Sequence, residues 1–489
     1  MANRLSRALS RSAALAALAG ALALAGCASL RDSKLEIAQR DTVAAEVTLA
    51  SDARSDWPQD DWWQKFGDVQ LDTLIAEGLE NAPDIEAAAA RVRKVDAMAR
   101  QAGASLLPRV DAQASAGLDK QSYNIGFPKE FVPKGWLDRG QIAATLGFDP
   151  DIWGRNRAAL AAATSQAEAA AIDERQARLV LASAIASAYF DLSRLFAERD
   201  IRKSALDIRL ASQKLVSAKY RGGLETRGSL RQADAGVATA RAGLDAADRA
   251  LALRRNQIAA LMGAGPDRGL TIERPAVSGG LPDGLPDGVT TELVGRRPDI
   301  AAARARVEVA ASRIKVARAD FFPAIRLDAL IGLQSLGIDT LLEKDSLIGS
   351  VGPAISLPIF HGGELTGRYR EAEAGFEEAL AVYDGTVVNA YREVADAAVS
   401  RTSVESQLGN AKEALAASEE AYSVARLRYD GGLSTYLDVL AVEDRLLEAR
   451  LAVATLEAAS RSLDIALIRA LGGGFIETAG LSAKDTPNG

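Results

Sequence analysis

The chain contains one sequence unit twice, in the same internal order. Pro83-Asp84-Ile85 recurs as Pro298-Asp299-Ile300 at an offset of 215 residues, and Tyr220-Arg221-Gly222-Gly223-Leu224 recurs as Tyr429-Asp430-Gly431-Gly432-Leu433 at an offset of 209. Such ordered and nearly constant offsets indicate duplication of a unit of roughly 210 residues. We therefore divide the chain into repeat 1 (81–264), a Gly- and Pro-rich linker (265–295), repeat 2 (296–474) and a tail (475–489).

Each repeat predicts one very long helix and two shorter ones. Residues 155–219 contain neither Gly nor Pro, and at 1.5 Å per residue they predict a helix of roughly 95–100 Å. The shorter segments of repeat 1, 83–107 and 224–262, together have about as many residues as the long one. Repeat 2 gives the same pattern at 299–322, 364–429 and 433–471. We expect two short helices, end to end, beside each long helix.

The last helix of each repeat carries a coiled-coil pattern. In repeat 2 a 3-4 alternation of apolar residues is interrupted only at Ser460, and repeat 1 has the same pattern from Leu230 to Leu261. The repeat 2 positions are Val439, Val442, Leu446, Ala449, Val453, Leu456, Leu463, Leu467 and Ala470. An ordinary bundle core has similar stripes, but a solid bundle about 100 Å long has no evident purpose.

Four short segments alternate between apolar and polar or small residues, as strands do: 109–118, 141–149, 324–334 and 347–357. Their length and their single apolar face fit membrane strands with lipid outside and water inside. A half-buried sheet in a soluble domain has the same period, although Pro353 inside one strand argues against it. A membrane barrel must be closed, so two chains would give eight strands and three would give twelve; an open channel favours three or more.

The amino terminus is typical of an exported lipoprotein. Arginines at positions 4, 7 and 11 precede an apolar stretch, which predicts a signal peptide over 1–26. Leu24-Ala25-Gly26 leads into Cys27, the only cysteine, and resembles the lipobox of bacterial lipoproteins. We expect a lipid attached to Cys27, outer-membrane sorting because Ala28 follows it, and an N-terminal segment at 27–80. An ordinary signal peptide before a buried thiol is the alternative.

The composition leaves little material for catalysis or metal binding. One His, one Cys and three Met argue against His-based catalysis, disulfides and thiolate or imidazole metal sites. The sequence has no phosphate loop and no Gly-x-Ser-x-Gly elbow, so we predict no catalytic residue, no metal and no cofactor. A net charge of −7 argues against nucleic acid as a partner. We find no internal run of about 18 apolar residues for a membrane-spanning helix.

Several motifs resemble the outer-membrane efflux proteins of the TolC type, especially the lipoprotein branch named for the nodulation protein NodT. They are Trp62 to Asp68, Arg296-Arg297-Pro298-Asp299-Ile300, Phe321-Phe322-Pro323, Leu357 to Phe360, and Tyr429 to Leu440. The resemblance implies a mainly α chain with membrane β-strands. It implies a homotrimer, in which a twelve-stranded barrel in the outer membrane of a Gram-negative bacterium continues into a coiled-coil barrel of helices in the periplasm. It also implies a tripartite efflux pump for small toxic molecules, with a periplasmic adaptor protein and an inner-membrane transporter of the resistance-nodulation-division class.

The resemblance further implies a gate at the periplasmic helix tips, near the second repeat's turn Gly431-Gly432; the corresponding helix-tip turn of repeat 1 is Gly222-Gly223. Family members carry acidic residues there, and Asp438 matches one of them, whereas Ser434 stands where some relatives have a second. Candidates for contacts that hold the tip closed are Arg426, Arg428, Tyr429 and Asp430. For Asp438, a pore-facing charge and a solvated charge on the helix surface both remain open.

Two other functions explain parts of the sequence. The outer-membrane channel of a type I protein secretion system would use the same architecture, although the lipobox and Arg296 to Ile300 favour the efflux branch. A lipid-anchored structural coiled coil without a pore would explain the helices and Cys27, but not four alternating strands. The sequence leaves the exported substrate and the identity of the adaptor and transporter open.

Overall fold

A computed structural model describes residues 43–50, 54–124, 126, 128–280 and 284–476. Cys27, the predicted signal peptide and most of the predicted tail lie outside these residues. The described chain divides into two compact units. The first contains residues 93–168 and 304–382, and the second contains the remaining described residues.

The first unit holds an antiparallel sheet of four strands. These are β2 (Arg109–Asp119), β3 (Leu137–Phe148), β5 (Ala324–Leu336) and β6 (Leu347–Ser356), in the spatial order β2-β3-β5-β6. They overlap the four alternating segments of the sequence, and the largest difference is at β3, which begins four residues before the predicted start. The two repeats meet in this sheet, because β3 of repeat 1 pairs with β5 of repeat 2.

The helices repeat in length as well as in sequence. The long helices are α3 (Arg155–Arg221) and α8 (Glu364–Asp430), with 67 residues each. Each is followed by a helix of 35 residues, α4 (Arg227–Leu261) or α9 (Tyr436–Ala470). Each repeat begins with a helix of 22 residues, α2 (Pro83–Ala104) or α7 (Pro298–Ala319).

Predicted helix boundaries are wrong by three residues at four places, for local reasons; one of them is the end of α7, which lies at Ala319 and not at residue 322. α4 and α9 begin three residues later than predicted, because Thr226 and Thr435 act as N-caps whose hydroxyl oxygens accept hydrogen bonds from backbone N–H groups. α2 ends at Ala104 and not at residue 107, since the amides of residues 105–107 bond to carbonyls three residues earlier and tighten the last turn.

The predicted linker has secondary structure of its own. Residues Leu285–Pro286 form β4, which pairs in parallel with β1 (Arg54–Ser55). The linker also contains α5 (Pro266–Leu270) and α6 (Val289–Arg296), whereas α1 (Val69–Asn81) precedes repeat 1 and ends at its start. Turn-forming composition hid the linker elements, because they are short and gain their stability from packing within the second unit.

The motif from Trp62 to Asp68 anchors this region. Trp62 and Phe66 are fully buried, and the ring of Phe66 lies 4.8 Å from that of Phe190 on α3. Asp68 caps α1 by accepting a hydrogen bond from the backbone N–H of Gln70. The same carboxylate accepts hydrogen bonds from the Tyr189 hydroxyl at 2.7 Å and the Ala276 amide at 2.8 Å. Asp68 therefore joins the N-terminal segment, α3 and the linker.

Arg297 explains the motif Arg296 to Ile300. Its buried guanidinium donates to both carboxylate oxygens of Asp299, to Glu393 on α8 and to the carbonyl of Ala470 at the end of α9. Repeat 1 has Ala82 before Pro83, so this junction belongs to repeat 2 alone.

One described helix, α3, contains a window that is long and apolar enough to cross a membrane by composition, contrary to the expectation of none. Most of that window, 61%, is buried inside the protein. The buried residues of α3 include Ile185, Tyr189 and Phe190, which belong to the core around Trp62. The apolar composition of α3 is therefore explained by packing.

Candidate functional site

The four-stranded sheet has one continuous apolar face. The strand register places Val110, Leu146, Ala329 and Val351 in one row across the sheet. Another row on this face contains Ile142, Leu333 and Leu347, and a further row contains Leu327 and Pro353. Large side chains on this face are exposed in the single chain, for example Val110 at 67% and Val351 at 76%. A patch of this extent marks a surface that contacts lipid or protein.

The opposite face of the sheet is mostly polar. The row next to Val110 contains Asp111, Thr145, Leu330 and Ser350, and further rows contain Gln113, Gln141 with Gln334, and Asp328. Leu330 and Ile348 are apolar residues on this face. This alternation assigns one face to an apolar environment and the other to water.

Both edges of the sheet are open among the described strands. β2 pairs only with β3, and β6 pairs only with β5. Pro353 lies in β6, an edge strand, which is where a residue without a backbone N–H is tolerated. The described chain thus presents an apolar sheet with two sets of unpaired backbone groups.

The two helix tips have the same turn. After α3, the amide of Leu224 donates to the carbonyl of Lys219 at 2.8 Å, and after α8, the amide of Leu433 donates to the carbonyl of Arg428 at 2.7 Å. Gly223 and Gly432 supply the positive φ angles of 73° and 74° that this helix ending requires. The paired glycines identified in the sequence are therefore explained by backbone geometry.

Asp438 caps the helix that follows the second turn. Its carboxylate accepts hydrogen bonds from the backbone N–H and the hydroxyl of Thr435, at 2.9 and 2.8 Å. The Thr435 hydroxyl in turn accepts a bond from the Asp438 amide, which completes a capping box. These hydrogen bonds, together with the charge of Arg428, lower the pKa of Asp438. Asp438 is exposed, so a local capping role coexists with a charge directed to solvent.

Tyr429 connects the two tips of one chain. Its hydroxyl donates to Glu225 at 3.0 Å, and the ammonium of Lys219 donates to its backbone carbonyl at 2.9 Å. The ammonium also lies 3.8 Å from the centre of the Tyr429 ring. Burial is the main cause that raises the pKa of Tyr429, followed by its bond to Glu225, so the phenol stays protonated.

The other predicted gate residues are exposed and make fewer contacts. Arg428 interacts with Asp438, Arg426 faces Tyr422, and Asp430 lies near Tyr429. Sequence reasoning missed Lys219 and Glu225. They occupy the positions in repeat 1 that correspond to Arg428 and Ser434, but the offset alone does not reveal their contacts with Tyr429.

Two buried acids of α9, Glu443 and Asp464, lie beside the predicted coiled-coil stripe, and the sequence analysis missed them. Glu443 lies between the buried residues Val439 and Leu446, at 3-4 spacing, and Val442 is only partly buried. Glu443 pairs with Arg209 of α3, and Asp464 pairs with Arg401 of α8. Ion pairs therefore lie beside the apolar stripe of α9.

The described residues hold no group of three or more His, Cys, Asp and Glu side chains arranged to bind a metal ion. The charged groups at the tips form hydrogen bonds, a cation–π contact and a helix cap.

Comparisons with known proteins agree with this geometry. The family model described as outer membrane efflux protein matches residues 74–264 and 289–473. The fusaric acid resistance protein FusA of Burkholderia cepacia is 35% identical over 371 residues, which cover 74% of this chain and 69% of that protein. The pyoverdine export outer membrane protein OpmQ of Pseudomonas aeruginosa is 30% identical over 448 residues, 91% of this chain and 92% of OpmQ. The crystal structure of the outer membrane protein VceC from Vibrio cholerae is 41% identical, with a TM-score of 0.81 over 86% of this chain and 100% of VceC.

Proposed function

The chain belongs to the outer membrane efflux protein family, and we propose that three copies of it form the outer-membrane channel of a tripartite efflux pump. The channel is passive in this proposal, because the energy for transport comes from a separate transporter. The charged residues of the channel supply helix caps and ion pairs. The proteins similar to it are named for fusaric acid resistance and for pyoverdine export. We therefore assign small organic molecules as the class of cargo.

The single observation that carries this proposal is the four-stranded sheet. Its apolar face is exposed and its two edges, β2 and β6, are unpaired among the described strands. A sheet edge left open in a bilayer exposes backbone N–H and C=O groups to hydrocarbon at a cost of several kcal/mol per group. Pairing β6 of one chain with β2 of the next removes every such edge when the ring closes.

Three chains suit a channel better than two. Eight strands enclose a space that side chains fill, whereas twelve leave room for a lumen. The polar face of the sheet, with Asp111, Gln113 and Asp328, then lines that lumen, and the apolar face contacts lipid.

The helix tips form the gate in this proposal. Tyr429, Lys219 and Glu225 hold the tip of α8 against the tip of repeat 1. Three copies of Asp438, near the symmetry axis, add repulsion between like charges, which the contacts of Tyr429 offset. Arg426, Arg428 and Asp430 lie on the exposed side of the same tip, where they are available to a neighbouring chain.

Attachment and partners complete the proposal. A lipid on Cys27 holds the amino terminus at the outer membrane of a Gram-negative bacterium. A periplasmic adaptor joins the channel to an inner-membrane transporter of the resistance-nodulation-division class, with the helices spanning the periplasm between them. The motif Arg296 to Ile300, held by the buried Arg297, supports assignment to the efflux branch.

The test is to link the two sheet edges chemically. Ser115 of β2 and Ser350 of β6 both lie on the polar face. The double variant Ser115→Cys/Ser350→Cys, treated with a bismaleimide in outer membranes, should give a ladder of species that ends at three chains. The single variant Ser115→Cys is the matched control and should give no ladder. A ladder that ends at two chains, or no ladder from protein that is in the membrane, overturns the trimer.

The lipid anchor has a separate test. Labelled palmitate should be incorporated into the wild-type chain and not into Cys27→Ala. Incorporation into Cys27→Ala would show that the lipid is attached elsewhere.

A further inference from the structure

A buried ion pair joins the start of α9 to the long helix of the other repeat. Arg209 of α3 and Glu443 of α9 are 234 residues apart in the chain, and Arg209 Nε lies 2.8 Å from Glu443 Oε1. Only 4% of Glu443 and 9% of the Arg209 side chain are exposed. Gly236 of α4 lies beside this arginine, since an added Cβ there would be in van der Waals contact with Arg209 Cδ at 3.5 Å.

The Glu443 carboxylate is poorly compensated in this position. Apart from the ion pair, neither of its oxygens has a hydrogen-bond partner among the described residues. Arg209 also forms an ion pair with Asp444, whose Oδ1 lies 2.5 Å from Arg209 Nη2, so its positive charge is shared between two carboxylates. A buried carboxylate with one shared cation and no further donors favours its neutral form.

Other groups around Glu443 do not supply the missing charge. Tyr436 of α9 and Tyr422 of α8 face it as neutral phenols, and burial raises the pKa of both. Arg426 of α8 is exposed and interacts with Tyr422. The adjoining cavity of about 300 Å³ is lined from α4 by uncharged residues: Gln232, Ala235, Gly236, Thr239, Ala240 and Gly243. Arg202 of α3 lines that cavity as well, and Glu198 is its ion-pair partner.

The direction of the pH effect follows from burial. Burial raises the pKa of Glu443 to about 7, above its ordinary 4.5, and the attraction of Arg209 offsets this only in part. A carboxyl whose pKa is raised by packing is better accommodated when protonated. The Glu443 carboxyl therefore stabilises the packing of α9 against α3 at low pH. This stabilisation is lost as the pH rises through about 7.

Glu443 is connected through packed side chains to Tyr429 of the proposed gate. Tyr436, Val439 and Glu443 form one buried stripe on the first turns of α9. The ring of Tyr436 lies 6.0 Å from that of Tyr429, whose hydroxyl bonds to Glu225. Moving the start of α9 away from α3 therefore exposes Glu443 and disturbs the contacts of Tyr429 together.

We propose that Glu443, buried beside Arg209, is a proton-sensitive latch: its protonated form holds α9 against α3 and favours the closed state of the channel at acidic pH. The latch rests on the proposed channel function. If opening returns Glu443 to water, the ratio of closed to open channels rises about tenfold between pH 8 and pH 6.

The experiment measures the open fraction of reconstituted channels in planar bilayers from pH 6 to pH 8. Wild type should close progressively towards pH 6. Glu443→Gln, which resembles the protonated acid, should show a low open fraction at every pH. Glu448→Gln removes an exposed acid of the same helix and should keep the wild-type response. A double variant, Arg209→Met/Glu443→Leu, covers the case in which Glu443→Gln does not assemble, because replacing both charges preserves packing.

The outcomes separate the latch from the channel. A wild-type channel that conducts without a pH response over this range overturns the latch and leaves the channel intact. A pH response retained in Glu443→Gln, or in the double variant, also overturns the latch. Wild-type protein that conducts at no pH, together with a silent Tyr429→Phe variant, overturns the channel function and the latch with it.

Discussion

The ammonium of Lys219 lies 2.9 Å from the carbonyl oxygen of Tyr429 and 3.8 Å from the centre of its ring. Lys219 belongs to the tip of α3 and Tyr429 to the tip of α8, so one side chain of each repeat fixes the position of the other. With the Glu225 hydrogen bond, this gives Tyr429 three contacts to repeat 1. The duplication therefore provides the proposed gate with two halves whose equivalent positions carry different side chains.

Tyr429→Phe should open the channel without unfolding the tip. The variant keeps the ring and its contact with Lys219 but removes the bond to Glu225, and a hydrogen bond to a charged group contributes about 1.5–3 kcal/mol. The ratio of open to closed channels should rise on the order of tenfold or more in single-channel recordings. Tyr220→Phe changes the equivalent, partly exposed tyrosine and should have no effect. An unchanged open fraction in Tyr429→Phe would remove this contact from the gate.

Gly432→Ala should destabilise the second tip, whereas Gly431→Ala should be almost neutral. Gly432 has a φ of 74°, which costs an L-residue about 1–2 kcal/mol, and Gly431 does not have a positive φ. Hydrogen exchange of the Leu433 amide, which bonds to Arg428, should accelerate only in Gly432→Ala. Equal exchange in the two variants would contradict the left-handed turn.

Asp438→Asn and Asp438→Ala should separate charge from capping. Asn keeps an acceptor for Thr435, so hydrogen exchange at the start of α9 should stay normal while block of the channel by cations weakens. Ala should alter both properties. Because the pKa of Asp438 is lowered, its cap is present at neutral pH and is lost only as the pH falls through that lowered value. Identical cation block in wild type and Asp438→Asn would show that the carboxylate acts only as a cap.

Gly332→Ala should prevent assembly of the sheet, whereas Gly352→Ala should be tolerated. A Cβ at Gly332 would lie 2.4 Å from the Ile142 carbonyl oxygen and 2.8 Å from the Ala143 Cβ on the paired strand β3. At Gly352 no described atom lies within 4 Å of the added Cβ. The amount of oligomer in outer membranes should fall sharply for the first variant only. Normal levels of Gly332→Ala would contradict the β3–β5 register.

The sequence predicted the parts of the molecule whose signals are local. Alternation at period two locates strands such as β2, and a Gly pair after a long helix locates a turn such as Gly431-Gly432. The capping box at Asp438 also has a local signal in the sequence, because Thr435 lies three residues before it. In the sequence analysis, Asp438 is interpreted only as a pore-facing or a solvated charge.

The rest depended on partners that are distant in the chain. Glu443 lies outside the predicted apolar stripe, and its partner Arg209 is 234 residues away in the chain and reads as one of many surface arginines. Glu225 and Lys219 lie in the repeat that carried no predicted gate residue. No spacing rule connects such pairs, because the contacts form only when the two repeats pack together.

The most direct test of the central claim is the conductance of purified wild-type protein in planar bilayers with no nucleotide and no transporter present. A passive channel built from three chains should insert in uniform steps, each giving the same ion conductance, from a species of three times the chain mass. Protein of that mass that inserts and never conducts, in wild type and in Tyr429→Phe alike, would contradict the account.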